Sequence, residues 1–99
     1  MKPLIIVLSL FISTITIAQD NYTNTMQKAF QLWGEGKPTD ASNLFEGIAT
    51  VEADNWLPYY YVAQINTIIS FGEKDKEKLT KQLEKAQEYI YKSFGIINR

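Results

Sequence analysis

The sequence predicts an all-α fold, in which two antiparallel helical hairpins stack as a short array behind an N-terminal signal helix. Three observations predict it. Apolar residues recur at helical spacing, glycine and proline interrupt that spacing, and a small-residue position repeats 34 residues apart. We expect a signal peptide over residues 1–18 and one helical domain over 19–99, with hairpin one at 22–53 and hairpin two at 56–94.

The first eighteen residues have the parts of a signal peptide. Lys2 gives a positive start, Leu4–Ile12 is almost unbroken apolar sequence, and Thr16–Ala18 places small residues where a signal peptidase cuts. The apolar stretch is shorter than the roughly 20 residues that a membrane-spanning helix needs. We therefore expect cleavage after Ala18 and export to the periplasm or out of the cell, with membrane contact only before cleavage. A retained anchor is the alternative.

Hairpin one is predicted from two amphipathic segments joined by a short break. Asp20 or Asn21 can cap the first helix, and Gly34–Pro38 ends it and turns the chain. Thr39 or Asp40 is the predicted cap of the second helix. The apolar stripes consist of Tyr22, Met26, Ala29, Phe30 and Trp33 in the first helix and Ala41, Leu44, Phe45, Ile48 and Ala49 in the second.

Hairpin two begins with Asn55 as the predicted cap of a third helix, and Pro58 in the first turn leaves no hydrogen bond unmade. This helix, 56–71, is apolar on most sides, which places it in the middle of the packing. A break at Phe71–Lys74 leads to a fourth helix, Asp75–Phe94. Its apolar side carries Leu79, Leu83, Ala86, Ile90 and Phe94.

Ala29 and Ala63 are the small residues that lie 34 positions apart, each inside the first helix of a hairpin. The stretch Ala29–Asn55 resembles a tetratricopeptide repeat. Ala29 matches the small residue of that family's first helix, and Gly36 matches its inter-helix glycine. In the second helix, the family's small, aromatic and small positions fall on Ala41, Phe45 and Ile48. A second unit follows, with Tyr59 in the place of the usual tryptophan and Ala63 as the small residue.

The match to the repeat has departures. Ala53 stands where the family has a closing proline, and Ile48 is larger than the expected alanine. The spacing from Ala63 to Ala86 exceeds that from Ala29 to Ala41 by eleven residues, so the second unit must have longer helices or a longer loop. An unrelated helical bundle is the alternative fold.

The resemblance also implies a binding surface. In tetratricopeptide proteins the first helix of each unit lines a concave surface that holds extended peptides, which makes Tyr60, Gln64 and Thr67 peptide-groove candidates. Successive helical residues point about 100° apart, so three consecutive tyrosines cannot all face one core. We expect Tyr59 and Tyr61 to pack between helices, whereas Tyr60 can either pack or line the groove.

The composition argues against an enzyme. The chain has no His and no Cys, which removes the usual nucleophile pairs and metal ligands, so we expect no catalytic residue, no metal and no cofactor. Carboxylate pairs such as Glu46 with Glu52, or Glu84 with Glu88, are interpreted as solvated surface residues. A formal net charge of -1 without a basic stripe argues against a nucleic-acid partner.

Two functions remain from the sequence. The first is an exported, non-catalytic protein that mediates protein-protein interaction or scaffolding, with another polypeptide as its partner. The alternative is a small bundle that binds an apolar or lipid-like ligand, in a pocket enclosed by Trp33, Phe45, Trp56 and Tyr61. A third interpretation is a purely structural segment.

The end of the sequence is also unusually apolar. Phe94, Ile96 and Ile97 lie next to Asn98–Arg99, where a further unit would begin. Their apolar character predicts one of three situations. These residues fold back onto the domain, the protein self-associates through the C-terminal apolar end, or this chain is a shortened form of a longer repeat protein.

Overall fold

The computed structural model of the protein describes residues 21–99, and these form four α-helices without a strand among them. Helix α1 covers 21–34, α2 Pro38–Val51, α3 Trp56–Ser70 and α4 Lys76–Ile97. The all-α prediction is confirmed. The predicted signal peptide at 1–18 and the predicted cap Asp20 lie outside the described residues.

Each helix runs antiparallel to the one before it. Tyr22 at the start of α1 and Val51 at the end of α2 line one groove. Ser42, early in α2, accepts a hydrogen bond of 2.9 Å from Asn66, late in α3. The hydroxyl of Ser93, near the end of α4, donates to the carbonyl of Trp56, the first residue of α3. The four helices therefore form two successive antiparallel hairpins.

The core lies where α1, α2 and α3 meet. Its largest fully buried apolar side chains are Phe45, Val62 and Ile65, and Ala29 is completely buried beside them. Ala63 is also buried, so both alanines of the 34-residue period lie inside the packing and not on the surface. Small side chains at these points let the helix backbones approach closely, and the large ones fill the space beside them.

Helix α3 is central, as its apolar composition predicts. It packs against α2 on one side and α4 on the other, and residues 65–69 are helical. Asn55 caps it as predicted, with its side-chain oxygen accepting a hydrogen bond of 3.1 Å from the amide of Leu57. Pro58 lies buried in the first turn, where its missing N–H costs nothing.

Apart from one-residue shifts at the end of α3 and the start of α4, two helix boundaries differ from the sequence-based expectation. Neither Thr39 nor Asp40 caps α2, because the helix already begins at Pro38, and the N-cap residue Lys37 makes no side-chain cap bond. Proline is favoured at this first position because its fixed φ is helical and its absent N–H has no partner there in any case. Helix α4 continues through Gly95 to Ile97 instead of ending at Phe94.

The eleven extra residues between Ala63 and Ala86 lengthen both helices and the loop. Helix α3 runs seven residues beyond Ala63, against five in α1 beyond Ala29, and the loop has five residues against three. Helix α4 has ten residues before Ala86, whereas α2 has three before Ala41. Even with this extension, none of the helices that the structure describes is long and apolar enough to cross a membrane.

Candidate functional site: the groove between α3 and α4

The three peptide-groove candidates lie together in the structure. Tyr60, Gln64 and Thr67 line one side of an open groove of about 470 Å³ between α3 and α4. We call it the α3–α4 groove. Its lining residues, none of which is charged, are Tyr60, Ala63, Gln64, Thr67, Ile68, Ala86, Gln87 and Ile90.

The floor of the α3–α4 groove consists of two small residues. Ala63 and Ala86 are both buried, one on each helix. Larger side chains rise around them, because Tyr60 and Ile68 are partly exposed on α3 and Ile90 is half-buried on α4. The groove therefore has an apolar base between two rims of larger side chains.

The α3–α4 groove has few polar groups, and these differ in whether they already make hydrogen bonds within the protein. The hydroxyl of Thr67 donates to the carbonyl of Ala63 at 2.8 Å, which commits its hydrogen to the helix. The amide of Gln87 donates to the hydroxyl of Tyr91 at 3.3 Å. The half-buried amide of Gln64 makes no side-chain hydrogen bond to residues 21–99. It therefore has donors and an acceptor to offer an incoming backbone.

The three consecutive tyrosines separate as expected for successive helical positions. Tyr61 packs into the core, stacked on Phe45 with 5.2 Å between ring centres. Tyr59 lies between α3 and α4, with its ring centre 5.9 Å from that of Tyr89. Both packing predictions are confirmed. Tyr60 is partly exposed and lines the α3–α4 groove.

The pocket on which the apolar-ligand alternative depends is not formed. Phe45 and Tyr61 stack on each other, and the ring of Trp33 lies against Tyr61 at 6.4 Å, so these rings fill the space between them. Trp56 lies elsewhere, edge-on to Tyr60 at 6.1 Å. The four aromatic residues therefore do not enclose one cavity.

Helix α4 contributes three groove residues that the sequence did not single out for binding: Ala86, Gln87 and Ile90. A signal for them exists. Ala86 and Ile90 repeat the spacing of Ala41 and Phe45, so they predict a contact seam like that of α2. In α2 that seam is covered on both sides, whereas in α4 part of it remains open.

A second groove, also missed from the sequence, lies between α1 and α2. It measures about 340 Å³, and Tyr22, Leu44, Gly47 and Val51 are among its lining residues. Gly47 borders open space, since a side chain built at this position would meet nothing within 4 Å. The signal was a glycine on the same helix face as Leu44 and Val51.

The carboxylate of Glu46 forms an ion pair and is not simply a solvated surface group beside Glu52. It forms an ion pair of 3.2 Å with Lys85 and accepts a hydrogen bond of 3.2 Å from the hydroxyl of Tyr89. Burial, followed by the negative charge of Glu46 and this hydrogen bond, raises the pKa of Tyr89 to about 12. A tyrosine so strongly held in its protonated form is a poor proton donor at neutral pH, and the cluster serves as a tie between α2 and α4.

Residues 21–99 contain no group of three or more His, Cys, Asp or Glu side chains placed to hold a metal ion. Comparison of the chain with models of known protein families, with curated proteins and with solved structures finds no match.

Proposed function

We propose that this chain is an exported, non-catalytic helical-repeat protein that binds another polypeptide in the α3–α4 groove. The observation that carries the proposal is the groove itself, an open, uncharged channel with an apolar floor and amide side chains along it. Binding sites of this composition gain affinity from apolar burial and orientation from a few polar groups.

An extended or helical peptide suits the α3–α4 groove better than a charged ligand does. No lining residue carries a charge that could pair with a phosphate or a carboxylate. Gln64 can both donate to and accept from a peptide backbone, and the ring of Tyr60 offers a large, rigid contact surface. Scaffolding by such a groove needs no bond-making step, which agrees with the absence of His and Cys.

The tetratricopeptide resemblance belongs to this proposal. Two antiparallel hairpins with buried alanines 34 residues apart support it. Helices α2 and α4 also share a small residue followed four positions later by a large one, Ala41–Phe45 and Ala86–Ile90. Export rests on residues 1–18 alone. Intact-mass measurement of the protein from an exporting cell tests it, with Gln19 as the expected first residue; a product that retains Met1 would contradict cleavage.

The binding proposal is tested by selecting peptides from a displayed library against the purified chain and comparing their affinities for two variants. Thr67→Arg places a long charged side chain at the rim of the α3–α4 groove. Thr50→Arg is the matched control, because Thr50 makes the same bond to the carbonyl four residues earlier but lies on α2.

We expect Thr67→Arg to weaken peptide binding at least about tenfold, the effect of roughly 1.4 kcal/mol, and Thr50→Arg to leave it unchanged. Circular dichroism should show equal helicity for both variants. Equal affinity of both variants for the selected peptides would contradict the proposed site. Co-purification of a lipid from the producing cell, without any peptide binding, would favour the apolar-ligand alternative.

A further inference from the structure

Helix α4 carries large apolar side chains that the rest of the described chain leaves half uncovered. Leu83, Phe94 and Ile97 are exposed to 48%, 52% and 50% respectively. Only two residues of this helix are buried, and both are small, namely Ala86 and Ser93. Its large apolar residues therefore contribute little to the core of residues 21–99.

These exposed side chains share one face. At about 100° per residue, Leu83, Phe94 and Ile97 lie within about 60° of the helix circumference, and the half-buried Ile90 falls within the same arc. Between Leu79 and Ile97, no charged residue falls within about 90° of the centre of that arc. The result is an uncharged stripe about 21 Å long from Leu83 to Ile97, which we call the α4 stripe.

Helix α3 extends the α4 stripe across the α3–α4 groove. Tyr60 and Ile68 are partly exposed on the groove side, and Phe71, just after α3, is 82% exposed. At about 100° per residue, Trp56 and Phe71 fall within about 40° of Tyr60 around the axis of α3. The whole face comprises Trp56, Tyr60, Ile68, Phe71, Leu83, Phe94 and Ile97. Taking about 200 Å² for each large apolar side chain, their exposed fractions amount to about 700 Å². A standard interface buries about 800 Å² per partner.

We infer that a second copy of this chain covers this face, with the two α4 helices antiparallel across a two-fold axis that passes near Ile90. An axis at that position sets Ile90 opposite its own copy and Leu83 opposite Ile97 of the second copy. It also sets the large Phe94 opposite the small Ala86. The surface is thus complementary to itself, as a two-fold dimer requires.

Electrostatics does not oppose this contact. The charged residues of α4, among them Lys81, Lys85, Glu88 and Lys92, lie on the other side of the helix. The formal net charge of the chain is only -1, so two copies repel each other weakly. The free energy of dimer formation therefore comes mainly from burial of the apolar α4 stripe.

The dimer does not rest on the proposed peptide binding, although the two share Ala86 and Ile90 at the α3–α4 groove. A peptide in the groove and a second copy on the α4 stripe occupy overlapping space. Peptide binding therefore dissociates the dimer.

Sedimentation equilibrium of the purified chain over a hundredfold concentration range tests the inference, with intact mass defining the ends of the protein. We expect a reversible monomer-dimer equilibrium that Phe94→Glu abolishes. Val51→Glu is the matched control, because Val51 is also an exposed apolar residue, with 82% of its surface accessible, but lies on α2. It should dimerise like the original chain.

A disulfide test locates the two-fold axis. The chain has no Cys, so Ile90→Cys introduces a single thiol at the predicted axis and Lys92→Cys introduces one on the far side of α4. We expect mild oxidation to link Ile90→Cys into a covalent dimer at least about tenfold faster than Lys92→Cys, since a disulfide needs Cα atoms about 4.4–6.8 Å apart.

Three outcomes would overturn the dimer: a monomer at every concentration, equal cross-linking of the two cysteine variants, or a ladder of species larger than a dimer. The ladder would indicate head-to-tail stacking of the α4 stripe on the groove between α1 and α2. Peptide affinity of the monomeric Phe94→Glu variant is a separate readout, so the failure of one proposal does not imply the failure of the other.

Discussion

Helices α2 and α4 are the second helices of the two hairpins, and they differ in what they bury. Helix α2 buries two large apolar side chains, Phe45 and Ile48, whereas α4 buries only the small Ala86 and Ser93. Helix α2 has packing partners on both sides, whereas α4 packs along α3 and contacts α2 through the side chains of Lys85 and Tyr89. The same amphipathic pattern thus supplies core in one hairpin and an exposed face in the other.

Polar contacts supplement the packing of α4, whose buried residues are both small. Ser93 is completely buried and donates to the carbonyl of Trp56 at 3.2 Å. Glu46 of α2 holds both Lys85 and Tyr89, and Arg99 donates to Asp54 at 2.8 Å. We therefore expect substitutions to cost more in the first hairpin than at matching positions in α4.

The largest contrast is expected between two phenylalanines. Phe45→Ala removes a completely buried ring and should cost about 3–5 kcal/mol, which is a large share of the stability of a small domain. Phe94→Ala truncates a half-exposed ring and should cost less than about 1 kcal/mol. Urea unfolding followed by circular dichroism, at low concentration to limit dimer formation, measures both. Equal losses in the free energy of unfolding would contradict the conclusion that α2 contributes more to the core than α4 does.

The helix caps of the second hairpin give a smaller contrast. Asn55 accepts from the amide of Leu57 and also donates to the hydroxyl of Tyr22 at 2.8 Å, which ties α3 to α1. Asn55→Ala should therefore cost about 1–2 kcal/mol. Asp75 caps α4 in an exposed position, and Asp75→Ala should cost about 0.5–1 kcal/mol.

Urea unfolding of both cap variants decides this comparison. Tyr22→Phe provides the control for the tie between α1 and α3, because it removes the hydroxyl and leaves the cap in place. If Asn55→Ala and Asp75→Ala cost the same, the bond to Tyr22 contributes nothing.

A buried hydrogen bond between α2 and α3 should give a coupling of about 1 kcal/mol. The amide of Asn66 donates to the hydroxyl of Ser42 at 2.9 Å and to the carbonyl of Val62 at 2.8 Å. A double-mutant cycle with Ser42→Ala and Asn66→Ala isolates the first of these bonds. Additive losses in the free energy of unfolding would show that the contact contributes no coupling.

A pH dependence of stability is expected at the tie between α2 and α4. The pKa of Tyr89 is about 12 in the folded protein, against an ordinary value of 10.0, so the unfolded chain loses this proton first. The stabilisation is complete below pH 10 and is lost as the pH rises through about 12. Stability should therefore fall over this range.

Titration of the tyrosine absorbance and unfolding at alkaline pH measure this effect together. Tyr89→Phe should remove the ionisation near pH 12, and Glu46→Gln should lower the pKa of Tyr89 because it removes the neighbouring negative charge. A titration that Tyr89→Phe leaves unchanged would contradict the assignment.

Much of the fold could be predicted because it depends on local chemistry. Asn55 predicts a cap from its side chain alone, and Pro58 is compatible only with the first turn of a helix. The start of α2 was misplaced because Thr39 and Asp40 are common cap residues, while Pro38 at the first helical position competes with them. Local preferences conflicted there, and the sequence offered no way to rank them.

The candidate site was only partly predictable. The resemblance to a tetratricopeptide repeat puts Tyr60, Gln64 and Thr67 on a surface lined by first helices, α1 and α3, whereas in the structure they line a groove between α3 and the second helix α4. It did not indicate that Ala86, Gln87 and Ile90 form the opposite side. Those contacts depend on how α4 lies against α3, and neither helix specifies that alone.

The all-α class, the helix breaks and the buried alanines follow from the sequence, because spacing, turn residues and side-chain size act within or between neighbouring segments. The exposure of the apolar face of α4 and the pairing of Glu46 with Lys85 and Tyr89 depend on how the helices pack in three dimensions. A covered stripe and an uncovered stripe have the same periodicity along the chain. Their exposure differs because one has a further helix against it and the other, within residues 21–99, does not.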